Sequence, residues 1–193
     1  MSERDPTNAA WYDRELARVT VGPVRTLNGQ IELVDYDPRW PVLYAREERR
    51  IRSALGAGVV RLEHAGSTSV PGLPAKPVID IVLEVSDSAR EDDYLPALET
   101  AGYRLRIREP EWPEHRMLKG PDTNVNLHVF GAGCPAVDDM LRLRDHLRVD
   151  DADRALYAAV KRDLASKEWK HVQQYADAKT EVVCEILTRA EAC

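Results

Sequence analysis

The sequence has no apolar run long enough to cross a bilayer as a helix, which excludes an integral helical membrane protein. Met1 to Asn8 is polar, so no secretory leader is expected there. Cysteine is scarce: Cys134, Cys184 and Cys193 are the three present. Their odd number excludes a closed disulfide framework, and their spacing fits no metal site. They read as reduced thiols of a cytoplasmic protein. Basic residues number 27 against 33 acidic, a formal net charge of −6. A dedicated nucleic-acid surface is therefore not expected, although a local basic groove is compatible with that balance. No internal repeat occurs, and 193 residues suit one domain with a helical appendage.

What is present centres on His64 to Val85. Leu62 leads a strand into Gly66-Ser67-Thr68, a small-residue turn. Glycine tolerates positive φ and a close approach of the backbone, while the hydroxyls and N–H groups offer donors. Such a turn suits phosphate oxygens, and equally a plain polar loop. In the next strand Ile79, Ile81, Leu83 and Val85 alternate with Val78, Asp80, Val82 and Glu84. Asp80 thus sits in an apolar run, where a carboxylate must be paired, hydrogen-bonded, bound to a metal or solvated at an edge.

Along the chain, residues 1–30 read as an extension with a helix over Asn8–Val19 whose apolar stripe is Trp11, Leu16 and Val19. It would dock on the body or support a homo-oligomer. Ile31–Val34 reads as a short strand or extended lead-in, and Asp37-Pro38 as the start of a helix carrying Trp40, Leu43, Tyr44, Ile51 and Leu55 inward. A helix over Ala89–Thr100 and a strand over Tyr103–Arg108 follow. His115–Lys119 and Thr123–Phe130 form a hairpin around Gly120-Pro121-Asp122. On its second arm Asn124, Asn126, His128 and Phe130 share one face. From Pro135 the pattern is helical, with Leu156, Val160 and Leu164 inward on one helix and a last helix over His171–Ala190. The order implies an α+β fold, a mixed sheet with flanking helices: a core over 31–133 and a C-terminal helical segment over 134–193 packed on it.

The segments Glu63–Leu73, Ala75–Ile81 and Asn126–Phe130 resemble the GrpB family, with further likeness at Arg144–Arg148, Lys161, Tyr175 and Lys179. The resemblance implies a nucleotidyltransferase-like fold. In that superfamily the Gly-Ser turn holds phosphate, two acids spaced by two on the next strand hold metal, and a third acid comes from a later strand. Gly66, Ser67 and Asp80 match, whereas Val82 replaces the second acid and His128 the third. Spacing of two places carboxylates about 7 Å apart on one face, and Glu84 lies about 13 Å from Asp80, too far to substitute. The resemblance leaves Asp80 as the metal ligand, with Mg²⁺ or another divalent cation arriving with a nucleotide. Asp80 and His128 are the expected catalytic pair. His64, Gly66, Ser67, Thr68, Lys76, Arg116, Asn126, Lys161 and Lys179 are the expected ligand or phosphate contacts. Two functions fit: an enzyme acting on a nucleotide or other phosphorylated or anionic small molecule, or a non-catalytic module that binds a nucleotide or a partner.

Overall fold

The computed structural model describes residues 5–191; Met1 to Arg4, Ala192 and Cys193 lie outside the described residues. Helix α1 (Ala9–Val19) and helix α2 (Trp40–Leu55) precede strand β1 (Arg61–Ala65) and strand β2 (Ile79–Val85). Helix α3 (Leu95–Thr100) and strands β3 (Arg104–Glu109), β4 (His115–Lys119) and β5 (Val125–Gly131) follow. Helices α4 (Pro135–Val149), α5 (Asp151–Ala165), α6 (Val172–Asp177) and α7 (Thr180–Glu191) complete the chain. The five strands form one mixed sheet in the order β1-β2-β5-β4-β3. Only the central β2–β5 pair is parallel; the other pairs are antiparallel. This is the α+β architecture the sequence implies. None of the described helices is long and apolar enough to cross a membrane.

The period-two alternation of β2 and β5 divides the molecule into two layers. Ile79, Ile81 and Leu83 lie beside Val125, Leu127 and Val129 and pack with Trp40, Ile51 and Leu98 under α2 and α3. On the opposite face Val82 and Phe130 pack with Ala65, Val137 and Leu141 under α4. The helix α4 covers only that upper part. Asp80, one pleat toward the N-terminal end of β2, lies instead in the field of Lys161 on α5 and of Lys179 between α6 and α7.

Several local expectations are corrected. Of the two readings of Ile31–Val34 the extended lead-in holds: a single antiparallel bridge joins Val34 to Ala75. The helix α2 begins at Trp40, because the Asp37 carboxylate accepts from the Arg39 N–H and Pro41 takes the first turn. The expected Ala89–Thr100 helix is a one-turn 3₁₀ segment followed by the short α3. In α5 Tyr157 points inward and Leu156 is exposed. In α1 Tyr12 is buried beside Val19. The last helix breaks at Ala178–Lys179 into α6 and α7.

Residues 5–30 dock on the protein's own body. Tyr12 donates to Asp177 at 2.7 Å, and Asp13 meets Lys170 and His171. Val21 donates to the Arg106 carbonyl at the β3 edge, and Gly29 bridges to Trp169. Cys134 and Cys184 are free thiols.

Candidate functional site

Gly66 sets the site. Its φ of 65° and ψ of −173° end β1 abruptly, in a conformation that side chains disfavour. A Cβ placed there would lie 2.5 Å from the Asp80 Oδ2 atom. The turn therefore runs directly over the Asp80 carboxylate. Asn126, the register partner of Asp80, donates from Nδ2 to Oδ1 at 2.8 Å. His128 lies opposite Val82, and its Nε2 is 3.7 Å from the same Oδ1. Asp80, Asn126 and His128 thus share one face beside the turn. Burial alone would push the Asp80 carboxyl up, yet His128, Asn126 and Lys76 together hold it below the ordinary carboxylate value.

Four lysines surround this one carboxylate. Lys119 donates to Asn126 Oδ1 at 2.5 Å. Lys76 and Lys179 place their ammonium groups 5.8 and 4.6 Å from the centre of the Tyr175 ring. Lys161, only 2% exposed, donates to the Pro74 carbonyl and lies 5.2 Å from the Tyr157 ring centre. All four are held below the ordinary lysine value, primarily by burial. Lys161 falls to about 6, with the Lys179 charge adding to burial. Lys179 falls to about 8, with Asp80 opposing the drop. The Tyr157 hydroxyl, held against Ser67, also lies in the field of Asp80. Excess positive charge packed in a partly dry site is a receptor for an anion.

Three expected contacts lie elsewhere. On β1 His64 shares the parity of Leu62 and is opposite Ile81, so its ring points to the α2 side of the sheet. It stacks on Tyr44 with ring centres 4.8 Å apart, and burial pushes it down to about 4. The Thr68 hydroxyl donates to the Val78 carbonyl, which leaves it to accept from His64 Nε2 at 3.0 Å. His64 and Thr68 therefore brace the turn from behind. Arg116, on the side of Leu118 and Val129, also faces away from Asp80. Its guanidinium is 4% exposed and held by Glu91 at 2.6 Å and Glu114 at 3.1 Å. Arg116→Ala should lower stability by about 1.5–3 kcal/mol, because it removes a buried guanidinium's charge-assisted hydrogen bonds to Glu91 and Glu114. Chemical denaturation checks this, and affinity for an anion should not change.

Two residues that the sequence reading passed over join the site face: Lys119 and His115. His115 Nε2 is 3.0 Å from His128 Nδ1, and His115 Nδ1 is 2.7 Å from Glu109 Oε2. Burial holds His115 below the ordinary histidine value, against the pull of Glu109.

A two-ion metal centre does not fit these residues. Val82 is fully buried in the apolar cluster under α4, and Glu84 is turned to the Gly133 N–H. Asp80 is left as a lone carboxylate among lysines, a donor set that attracts anions rather than divalent cations.

The GrpB protein family model matches residues 30–189. A UPF0157 protein of Halalkalibacterium halodurans is 59% identical over 180 residues, covering 93% of this chain and 92% of that protein. A protein of Mycolicibacterium paratuberculosis named dephospho-CoA kinase is 30% identical over 177 residues, covering 77% of this chain but 43% of its own length. The crystal structure of conserved protein GrpB from Enterococcus faecalis superposes with a TM-score of 0.72 at 25% identity, covering 82% of this chain and 96% of that one.

Proposed function

The chain belongs to the GrpB family, and from that premise we propose that its pocket binds the phosphate groups of a nucleotide or comparable phosphorylated small molecule and acts on it as an enzyme. One observation carries the reading: four lysines with lowered pKa values, Lys161 buried and Lys76, Lys119 and Lys179 half-buried, surround a single carboxylate beside a glycine-serine turn. Without a ligand the charged lysines among them repel one another and are partly shielded from water. A phosphate chain would offset both costs. Kinship with nucleotidyltransferase-like folds belongs to the same proposal. It rests on the Gly66-Ser67 turn and on Asp80 in the adjacent strand. The similar stretch in a protein named dephospho-CoA kinase agrees with a phosphorylated ligand, and such a ligand agrees with a cytoplasmic location.

In the working complex the lysines take up the charge of the phosphates that a second carboxylate-bound ion would otherwise offset. His128 exchanges a proton with the reacting group, and Asp80, 3.7 Å from Nε2, stabilises the imidazolium that forms. Neither residue is needed merely to hold the ligand. A module that only binds would need the lysines and the turn, but not an imidazole aimed at the carboxylate.

The test is calorimetric titration of the full chain with ATP and with inorganic pyrophosphate, in buffers of different ionisation enthalpy. Lys161, near 6 in the free protein, is mostly neutral above pH 7, and an arriving anion raises its pKa. Binding near neutral pH should therefore take up about one proton. The sign is fixed: a lysine depressed in the free state gains a proton, so affinity falls as pH rises through the window above 6. Absence of binding by both probes, or binding with no proton exchange, would contradict the proposal.

A further inference from the structure

We infer that Glu109 and His115 are positioning residues that fix the tautomer of His128, so that its bare Nε2 faces the Asp80 pocket. The inference rests on the direction in which hydrogen bonds can run along one chain of atoms. Glu109 Oε2, His115 and His128 are linked at 2.7 and 3.0 Å, and the next gap, from His128 Nε2 to Asp80 Oδ1, is 3.7 Å.

A carboxylate only accepts, so the proton of the first link belongs to His115 Nδ1. His115 is buried, with its ring 4.8 Å from that of Phe130 and 5.2 Å from that of Trp112. Burial and the Arg116 charge oppose a second proton on it, although Glu109 favours one. A neutral His115 that carries its proton on Nδ1 has a lone pair on Nε2. The second link must then be donated by His128 Nδ1–H. A neutral His128 with its proton on Nδ1 has no proton on Nε2.

The far end does not compete with this order. At 3.7 Å Asp80 is beyond hydrogen-bond range of His128 Nε2, and its Oδ1 already accepts from Asn126 at 2.8 Å. The opposite arrangement would set a bare His115 Nδ1 against the Glu109 carboxylate at 2.7 Å, lone pair against lone pair. The two imidazole planes are 16° apart at 5.2 Å between centres, and Glu109, Phe130 and Trp112 hold the His115 ring in place.

The consequence is chemical. His128 is set up to accept a proton at Nε2, on the pocket side, rather than to give one from the resting state. Once Nε2 is protonated, Asp80 is close enough to attract the new charge. The use of that base rests on the function proposed above, but the tautomer does not.

The experiment is long-range proton–nitrogen correlation NMR on the full chain with isotope-labelled histidine, without ligand and at neutral pH. His128 is identified as the signal set lost in His128→Gln. Expected are a protonated Nδ1 and an unprotonated Nε2 for both His115 and His128. Glu109→Gln keeps the size of the side chain but its amide can donate or accept. That variant should convert the single His128 tautomer into a mixture of both, with the fold checked on the same spectra. A His128 proton found on Nε2 in the wild-type protein would overturn the inference, as would an unchanged single tautomer in Glu109→Gln. Because no ligand is present, either failure would leave the anion pocket standing, and a failure of anion binding would leave the tautomer standing.

Discussion

Gly66→Ala is expected to cost about 2–4 kcal/mol of stability, a Tm fall of about 5–15 °C for a chain of this size. Two costs add. The backbone at φ 65°, ψ −173° lies in a region kept almost entirely for glycine. The new methyl would also sit 2.5 Å from Asp80 Oδ2 and 3.0 Å from its Cβ. Relief is limited, because Asp80 is fixed by the ladders of β2 with β1 and β5 and by the Asn126 side chain. The costs separate in a double-mutant cycle with Asp80→Ala, which removes the oxygen and leaves the φ strain. Gly66→Ala should then destabilise less than in the wild-type background. A variant that melts at the wild-type temperature would show that the turn does not press on Asp80 as described.

The parts of this site that were legible in the sequence are those where alternation was unambiguous. In β2 and β5 every second residue is strongly apolar, so Asp80, Asn126 and His128 fall on one face by period two alone. In β4 adjacent Met117 and Leu118 are both apolar, and the parity of His115-Arg116-Met117-Leu118-Lys119 cannot be read from hydrophobicity. Pairing of Leu118 with Leu127 decides it, sending Arg116 to the far face and bringing His115 and Lys119 to the near one. His64 carried a usable signal: it shares the parity of Leu62 and follows it toward α2. Lys161 carried one too, since Tyr157, Lys161 and Leu164 are spaced on one helical face and all three are buried. The break between α6 and α7 had none. No glycine or proline marks Ala178–Lys179, and tertiary contacts with the N-terminal extension, such as Tyr12 to Asp177, set it there.

The lysines decide whether the face around Asp80 is an anion site or only a polar flaw in the sheet. Lys76 comes from the loop before β2 and Lys179 from the break before α7, yet both lie over the Tyr175 ring. Each lysine should contribute about 1.5–3 kcal/mol through a charge-assisted hydrogen bond to a bound phosphate. Removing both should weaken binding at least about a hundredfold. The same change removes two crowded cations from the free protein, so its stability should hold or rise. The most direct measurement is calorimetric titration of the Lys76→Ala/Lys179→Ala chain with pyrophosphate, beside the wild-type chain under identical salt. The expected result is a folded, undiminished Tm with affinity down a hundredfold or more. A folded double variant that binds pyrophosphate as tightly as the wild type would contradict the assignment of this face as the anion site.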